Sequence, residues 1–216
     1  TITGAATSDT VVLAARVTAA TIDLAAGTDK LTLGDFENTA TVANVETIVG
    51  GATNDAVILG TVTTAATVDL GVGNDTLTLA AGGATLTASN VETVTGSTVA
   101  DIVTLGAQAT GATINLGVGS DKLVLGAFDN TVTVSNIETV TGGASADTVT
   151  YAAQTTGGSI DLAGGADAVT LGDFVNTLTL SNVETITGGS TNDAVTLASQ
   201  ATGTTVDLGT GNATLT

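Results

Sequence analysis

The chain has 216 residues and a formal net charge of −18, from 21 Asp and Glu against three Lys and Arg, with no Pro, Cys, Met, Trp or His. That balance argues against nucleic acid, whose binders are basic, and against anionic membrane surfaces. Apolar content is 43%, almost all Ala, Val, Leu and Ile, too high for a disordered acidic chain, while aromatics at 2% leave no aromatic-centred core.

The first ordered feature along the chain is a repeat. Asn44-Val45-Glu46-Thr47 recurs as Asn90-Val91-Glu92-Thr93, Asn136-Ile137-Glu138-Thr139 and Asn182-Val183-Glu184-Thr185, each 46 residues after the last, with no insertion or deletion. The units run 1–46, 47–92, 93–138 and 139–184, with a partial fifth at 185–216. A fixed period without drift is the signature of stacked units, and predicts a single solenoid segment over residues 1–216. The chain starts in register and stops inside a unit, as a segment of a longer polypeptide would. No apolar run approaches the roughly 18 residues that span a bilayer.

Within one unit the elements are short alternating runs, the period of half-buried strands. In the third unit they are Ile102–Leu105, Thr113–Leu116, Lys122–Leu125 and Thr131–Val134, followed by a shorter apolar step from Ile137 to Val140. Alternation points Val103, Leu105, Ile114, Leu116, Leu123, Leu125, Val132 and Val134 inward. Four main strands predict two coils per unit, unequal at 20 and 26 residues measured from Asp to Asp. Phe36, Phe128 and Phe174 share one place in the unit, which the second unit fills with Gly82; they are expected to plug one end of a flat core. The fold class expected is all-β, a right-handed parallel β-solenoid.

Two Gly-Asp turns recur between these strands. The first reads Gly50-Gly51-Ala52-Thr53-Asn54-Asp55, and its Asp is kept as Asp9, Asp55, Asp101, Asp147 and Asp193. The second reads Gly71-Val72-Gly73-Asn74-Asp75, with Asp29, Asp75, Asp121 and Asp167 kept and Ala213 in the last unit. Each turn leads into a strand of the form Asp-x-hydrophobic-x-Leu. If the nine Asp stacked along one edge at roughly 5 Å, neighbours would repel by about 3 kcal/mol at an effective dielectric near 20. Three basic residues cannot offset that. Oxygen-rich flexible sites suit calcium; plain tight turns, with Gly for positive φ and Asp for local hydrogen bonds, are the other reading.

These turns resemble the repeats-in-toxin calcium-binding family, whose nonapeptide is G-G-x-G-x-D-x-U-x. Gly50 through Ile58 matches except at Thr53, and Leu70 through Thr78 matches except at Leu70. The resemblance implies a parallel β-roll with several calcium ions held between coils by Asp9, Asp29, Asp55, Asp75, Asp101, Asp121, Asp147, Asp167 and Asp193. It also implies an extracellular or bacterial cell-surface protein exported by type I secretion. The other connections read Ala-x-Gln-x-Thr-Gly or Gly-x-Phe-x-Asn-Thr, so calcium is expected along one edge only.

Further rows accompany the turns. Asp23, Asp69, Asn115, Asp161 and Asp207 fall mid-strand facing out, as solvated charge or a second cation row. The Asn44 row is expected to satisfy turn backbone groups, and the Glu46 row to be a solvated turn. Thr39/Thr41, Thr85/Thr87, Thr131/Thr133 and Thr177/Thr179 place hydroxyls on an outer face that resembles ice-binding solenoids or packs against an identical chain. No constellation of nucleophile, base and pocket appears, so an enzyme is not expected on this segment. The sequence reads as a calcium-stiffened structural rod of a surface layer, filament or adhesin that self-associates. The alternative is a binding module, for ice or an adhesive ligand, acting through the threonine face.

Overall fold

The structure, a computed structural model, describes residues 1–199 and 203–216. Among the described residues it holds 24 strands and no helix. Successive strands alternate between two twelve-stranded sheets, and all neighbours within each sheet are parallel. We call the sheet that starts at Ile2–Thr3 the first sheet and the one that starts at Thr10–Val12 the second. One strand of each makes one coil.

The alternation of apolar and polar residues decides the packing. Val103, Leu105, Ile114, Leu116, Leu123, Leu125, Val132 and Val134 are all buried, as the sequence predicts. Leu, Val and Ile from the inner faces of both sheets form one continuous core, in which Tyr151 takes the place held by Leu59 and Leu105 in earlier units. No coil buries its apolar face alone; stacking on both neighbours does so. At about 4.8 Å per coil, twelve coils span roughly 53 Å.

The expected division of the unit into two coils is corrected. The step after Ile137 leads into a full strand, Thr139–Thr141, which opens the fourth unit as Thr93–Ser97 opens the third, so a unit contributes five strands, those of the third being Thr93–Ser97, Ile102–Leu105, Thr110–Gly117, Lys122–Val124 and Thr131–Ser135. Five strands shared between two sheets make two and a half coils. Coil steps measured from paired residues are 20 residues (Ile102 to Lys122, Thr139 to Ser159) and 17 residues (Lys122 to Thr139). The odd number has a large consequence. Ile102–Leu105 lies in the second sheet, but its equivalents Ala56–Leu59 and Thr148–Tyr151 lie in the first. Each unit is turned over relative to the one before.

The phenylalanines also differ from expectation. Phe36, Phe128 and Phe174 are 38%, 39% and 38% exposed. The residue two positions on, Asn38, Asn130 or Asn176, occupies the interior there instead.

One corner has the same left-handed backbone in every unit: Ala25 (φ 69), Gly71 (φ 87), Gly117 (φ 91), Ala163 (φ 65) and Gly209 (φ 76). At Gly71 an added Cβ would clash with the Gly51 carbonyl oxygen of the preceding coil. An L-residue in this region costs roughly 1–2 kcal/mol, part of which glycine's extra unfolded-state freedom offsets. Ala163→Gly is therefore expected to stabilise the rod by about 0.5–1 kcal/mol, measured by chemical denaturation. No gain would show that the corner tolerates Cβ without strain.

Candidate functional site

Each rung of the site begins with parity. In Asp-x-hydrophobic-x-Leu the Asp sits two residues before an inward-facing strand residue, so it faces inward too. Asp55 precedes buried Val57, Asp75 precedes Leu77, and Asp121 precedes Leu123. Asp29, Asp55, Asp75, Asp101, Asp121, Asp147, Asp167 and Asp193 are all 0–2% exposed. Asp9, beside the first coil, is partly exposed.

The overturned units divide the nine Asp between two edges. Asp9, Asp29, Asp101, Asp121 and Asp193 stand where the chain passes from the first sheet to the second. Asp55, Asp75, Asp147 and Asp167 stand where it returns. The single nine-membered row expected from the sequence is thus two interrupted rows, one on each side of the core.

What the carboxylates do there is specific. At a corner the backbone leaves the sheet, and its N–H has no strand partner. That N–H donates instead to a side chain of the next coil. On the return edge Val17 N–H donates to Asn38 Oδ1 (3.0 Å), Asn38 N–H to Asp55 Oδ1 (3.0 Å), Asp55 N–H to Asp75 Oδ1 (2.6 Å), and Asp75 N–H to Glu92 Oε2 (2.7 Å). The same four rungs follow through Asn130, Asp147, Asp167 and Glu184 at 2.7–3.1 Å. The opposite edge carries Asp9 to Asp29 to Glu46, then Ala84 to Asp101 to Asp121 to Glu138, then Thr155 to Asn176 to Asp193. A ladder with the order Asn, Asp, Asp, Glu stitches coil to coil along both edges. Its charged acceptors make stronger bonds than neutral ones.

The ladder includes residues the sequence reading passed over. Asn38, Asn130 and Asn176 are full members, each 0–2% exposed. The Asn38 amide donates to the carbonyls of Leu33 (3.2 Å) and Phe36 (2.6 Å) and to Asp55 Oδ1 (3.0 Å). Their signal was available: Asn38 shares parity with buried Ala40 and Val42. The Glu46 row is corrected from solvated turn to ladder terminus, since Glu46, Glu92, Glu138 and Glu184 each accept a buried corner N–H.

The outward mid-strand acids are clamps. Asp23 Oδ1 accepts from Ala25 N–H (3.0 Å) and from the Asn44 amide of the next coil (2.7 Å). The pattern recurs at Asp69 with Asn90 and at Asp161 with Asn182. The hydrogen bond from Asn44, then that from Ala25, hold the Asp23 carboxyl below its ordinary range. So the side-chain amides of Asn44, Asn90 and Asn182 serve these acids, and that of Asn136 serves Asn115, rather than turn backbone. The Asn residues themselves adopt φ of 53–54°, a left-handed conformation that Asn tolerates.

The ladder leaves a remainder. In Asp9, Asp101 and Asp147 the second oxygen accepts from the N–H four residues back. In Asp29, Asp55, Asp75, Asp121, Asp167 and Asp193, Oδ2 is buried with no hydrogen-bond partner. No basic side chain compensates them; the one salt bridge among the described residues joins Arg16 to Glu37. Burial first, and then the charges of Glu92 and Asp55, push the Asp75 carboxyl up to about 6 against the hydrogen bond from Asp55 N–H. Asp167 is likewise pushed up to about 6, by burial and then by Glu184 and Asp147. Burial raises Asp121 as well.

The free oxygens are hard donors, which suit calcium in kind. Among the described residues no three acidic side chains converge on one point. A cation at these rungs would therefore combine a free Oδ2 with backbone carbonyls of the Gly-rich turns. No protein family, curated protein or solved structure matches the chain.

Proposed function

We propose that this chain is a rigid structural segment of an extracellular assembly, a bacterial surface layer, filament or adhesin stalk, stiffened by calcium at the free oxygens of its ladders. The observation that carries the reading is the set of buried Asp oxygens that have neither a hydrogen bond nor a basic partner. A cation placed there removes a desolvation cost that six of the coils otherwise bear. The likeness of the turns to repeats-in-toxin sequences supports calcium as that cation and the cell exterior, where calcium is millimolar, as the compartment. On this reading the chain binds and braces; it does not catalyse.

Calcium that binds only the folded rod stabilises it by about 1.4 kcal/mol per site at tenfold excess over Kd. If four of the six free oxygens hold calcium, the melting temperature should rise by about 10 °C or more between EDTA and millimolar calcium, at roughly 2–4 °C per kcal/mol for a chain of this size. Circular dichroism melts at pH 7.5 measure this. Equal melts in EDTA and in calcium would remove calcium from the proposal and leave an unassisted rod. A binding module for ice or an adhesive ligand is the second reading, favoured by the Thr-x-Thr strands; thermal hysteresis of the calcium-loaded protein tests its ice form.

A further inference from the structure

The two sheets do not carry the same outer face. Between Asp23 and Asp207 the strands of the first sheet contain no Lys, Arg, Asp or Glu. The strands of the second sheet contain Lys30, Asp69, Lys122 and Asp161. Because every unit is turned over, the same repeat position visits both sheets in turn, and between Asp23 and Asp207 the charged residues of these strands fall only in the second sheet. The position of Lys30 and Lys122 is Thr76 and Ala168 where it falls in the first sheet. The position of Asp69 and Asp161 is Asn115 at the centre of the first sheet and Asp only near its two ends, at Asp23 and Asp207. In a chain of net charge −18, the nine strands of this face from Thr39–Ala43 to Thr185–Thr187 carry no charged residue, and its two acids, Asp23 and Asp207, lie near its ends.

That face is also regular. Thr76, Thr93, Thr113, Thr133, Thr150, Thr170 and Thr187 pair in an unbroken column, each beside the next. All seven are exposed or half-exposed. Each presents a methyl group and a hydroxyl on the outer face of the sheet.

We propose that the first sheet is a pairing surface for a second copy of this chain, the two faces meeting across the threonine column. This rests on the proposed assembly role and names the surface that performs it. Copies this acidic repel one another, and the neutral face is where they approach without opposing charges. Nine strands at about 4.8 Å, two to three outward residues wide, present roughly 600 Å² per copy, or about 1,200 Å² in all, at the lower end of specific interfaces. Threonine suits self-pairing, since its methyl buries and its hydroxyl both donates and accepts.

The turned-over units supply an internal control. Thr133 lies in the first sheet, and Thr179, the same repeat position one unit on, lies in the second. Sedimentation of the full chain in calcium should show a dimer at tens of micromolar. Thr133→Lys should raise the dissociation constant at least tenfold, although it lowers net charge, and Thr179→Lys should leave it unchanged. Circular dichroism checks that both variants fold. A monomer at all concentrations, or equal loss in both variants, would overturn the pairing. Thermal hysteresis from a monomer, abolished by Thr133→Lys alone, would overturn it in favour of ice. A calcium-dependent melt with no dimer would leave the rod reading standing and overturn this inference alone.

Discussion

Asp121→Ala should lower stability by about 3 kcal/mol in metal-free buffer at pH 7, whereas Asp121→Asn should stay within about 1 kcal/mol of the native chain. Asp121 Oδ1 accepts Asp101 N–H at 2.7 Å, and both residues are 0–1% exposed. Alanine deletes the acceptor and leaves a buried corner N–H unmade, which costs about 1–3 kcal/mol. It also opens a small void beside Leu123. Asparagine keeps Oδ1 in place and removes a desolvated charge whose second oxygen has no partner. Its amide meets the kind of surroundings Asn130 already uses, where turn carbonyls at Leu125 and Phe128 accept at 3.0 and 2.8 Å. Urea denaturation of the three proteins gives the order. Equal stability of the two variants would show that the rungs contribute nothing beyond filling space. Under the calcium reading, Asp121→Asn should in addition reduce the calcium-induced rise in melting temperature, because it replaces a free carboxylate oxygen.

The metal-free rod should also become more stable as pH falls from 7 to about 5, the reverse of ordinary acid denaturation. Asp75 and Asp167 have folded values pushed up to about 6 from an ordinary 3.8. Between those values the folded state holds more protons than the unfolded state, so stability falls as pH rises. The loss is complete above the folded value and absent below the unfolded one. Screening at the corners reduces the effect, leaving on the order of 1 kcal/mol for each of the two groups. Melts in EDTA at pH 5, 6 and 7 test the sign, and Asp75→Asn with Asp167→Asn should flatten the dependence. A melting temperature that climbs with pH over this range would show that the buried rungs are already well solvated as anions. Calcium should flatten the same curve, since it competes with the proton for the same oxygens.

Most of the architecture is legible before any coordinates. The period of 46, the alternation in Ile102–Leu105 and its neighbours, and the inward set from Val103 to Val134 follow from spacing, because a two-residue period admits only two faces. The coil count was not legible, because Ile137 to Val140 is too short an apolar run to separate from a turn. Once Thr139–Thr141 is a strand, the units must turn over and the nine Asp must divide between edges. The ladder was half legible. Gly-Asp turns announce a carboxylate row, but Asn38 and Glu46 look like ordinary polar loop residues until their parity with Ala40 and Ile48 is noticed. Phe36 misled for the opposite reason: hydrophobicity suggested the interior, while the narrow coil end accommodates the Asn38 amide, whose donors reach the Leu33 and Phe36 carbonyls.

The odd strand number also constrains how such a chain can change length. Gaining or losing one 46-residue unit inverts the sheet assignment of every residue downstream, so the neutral strip would break and continue on the opposite side of the rod. Gaining or losing two units, five full coils, restores it. Related chains that keep one uncharged side should therefore differ in length by multiples of 92 residues, and a duplication of a single unit should be accompanied by exchange of Lys and Asp for Thr and Asn in all units beyond it.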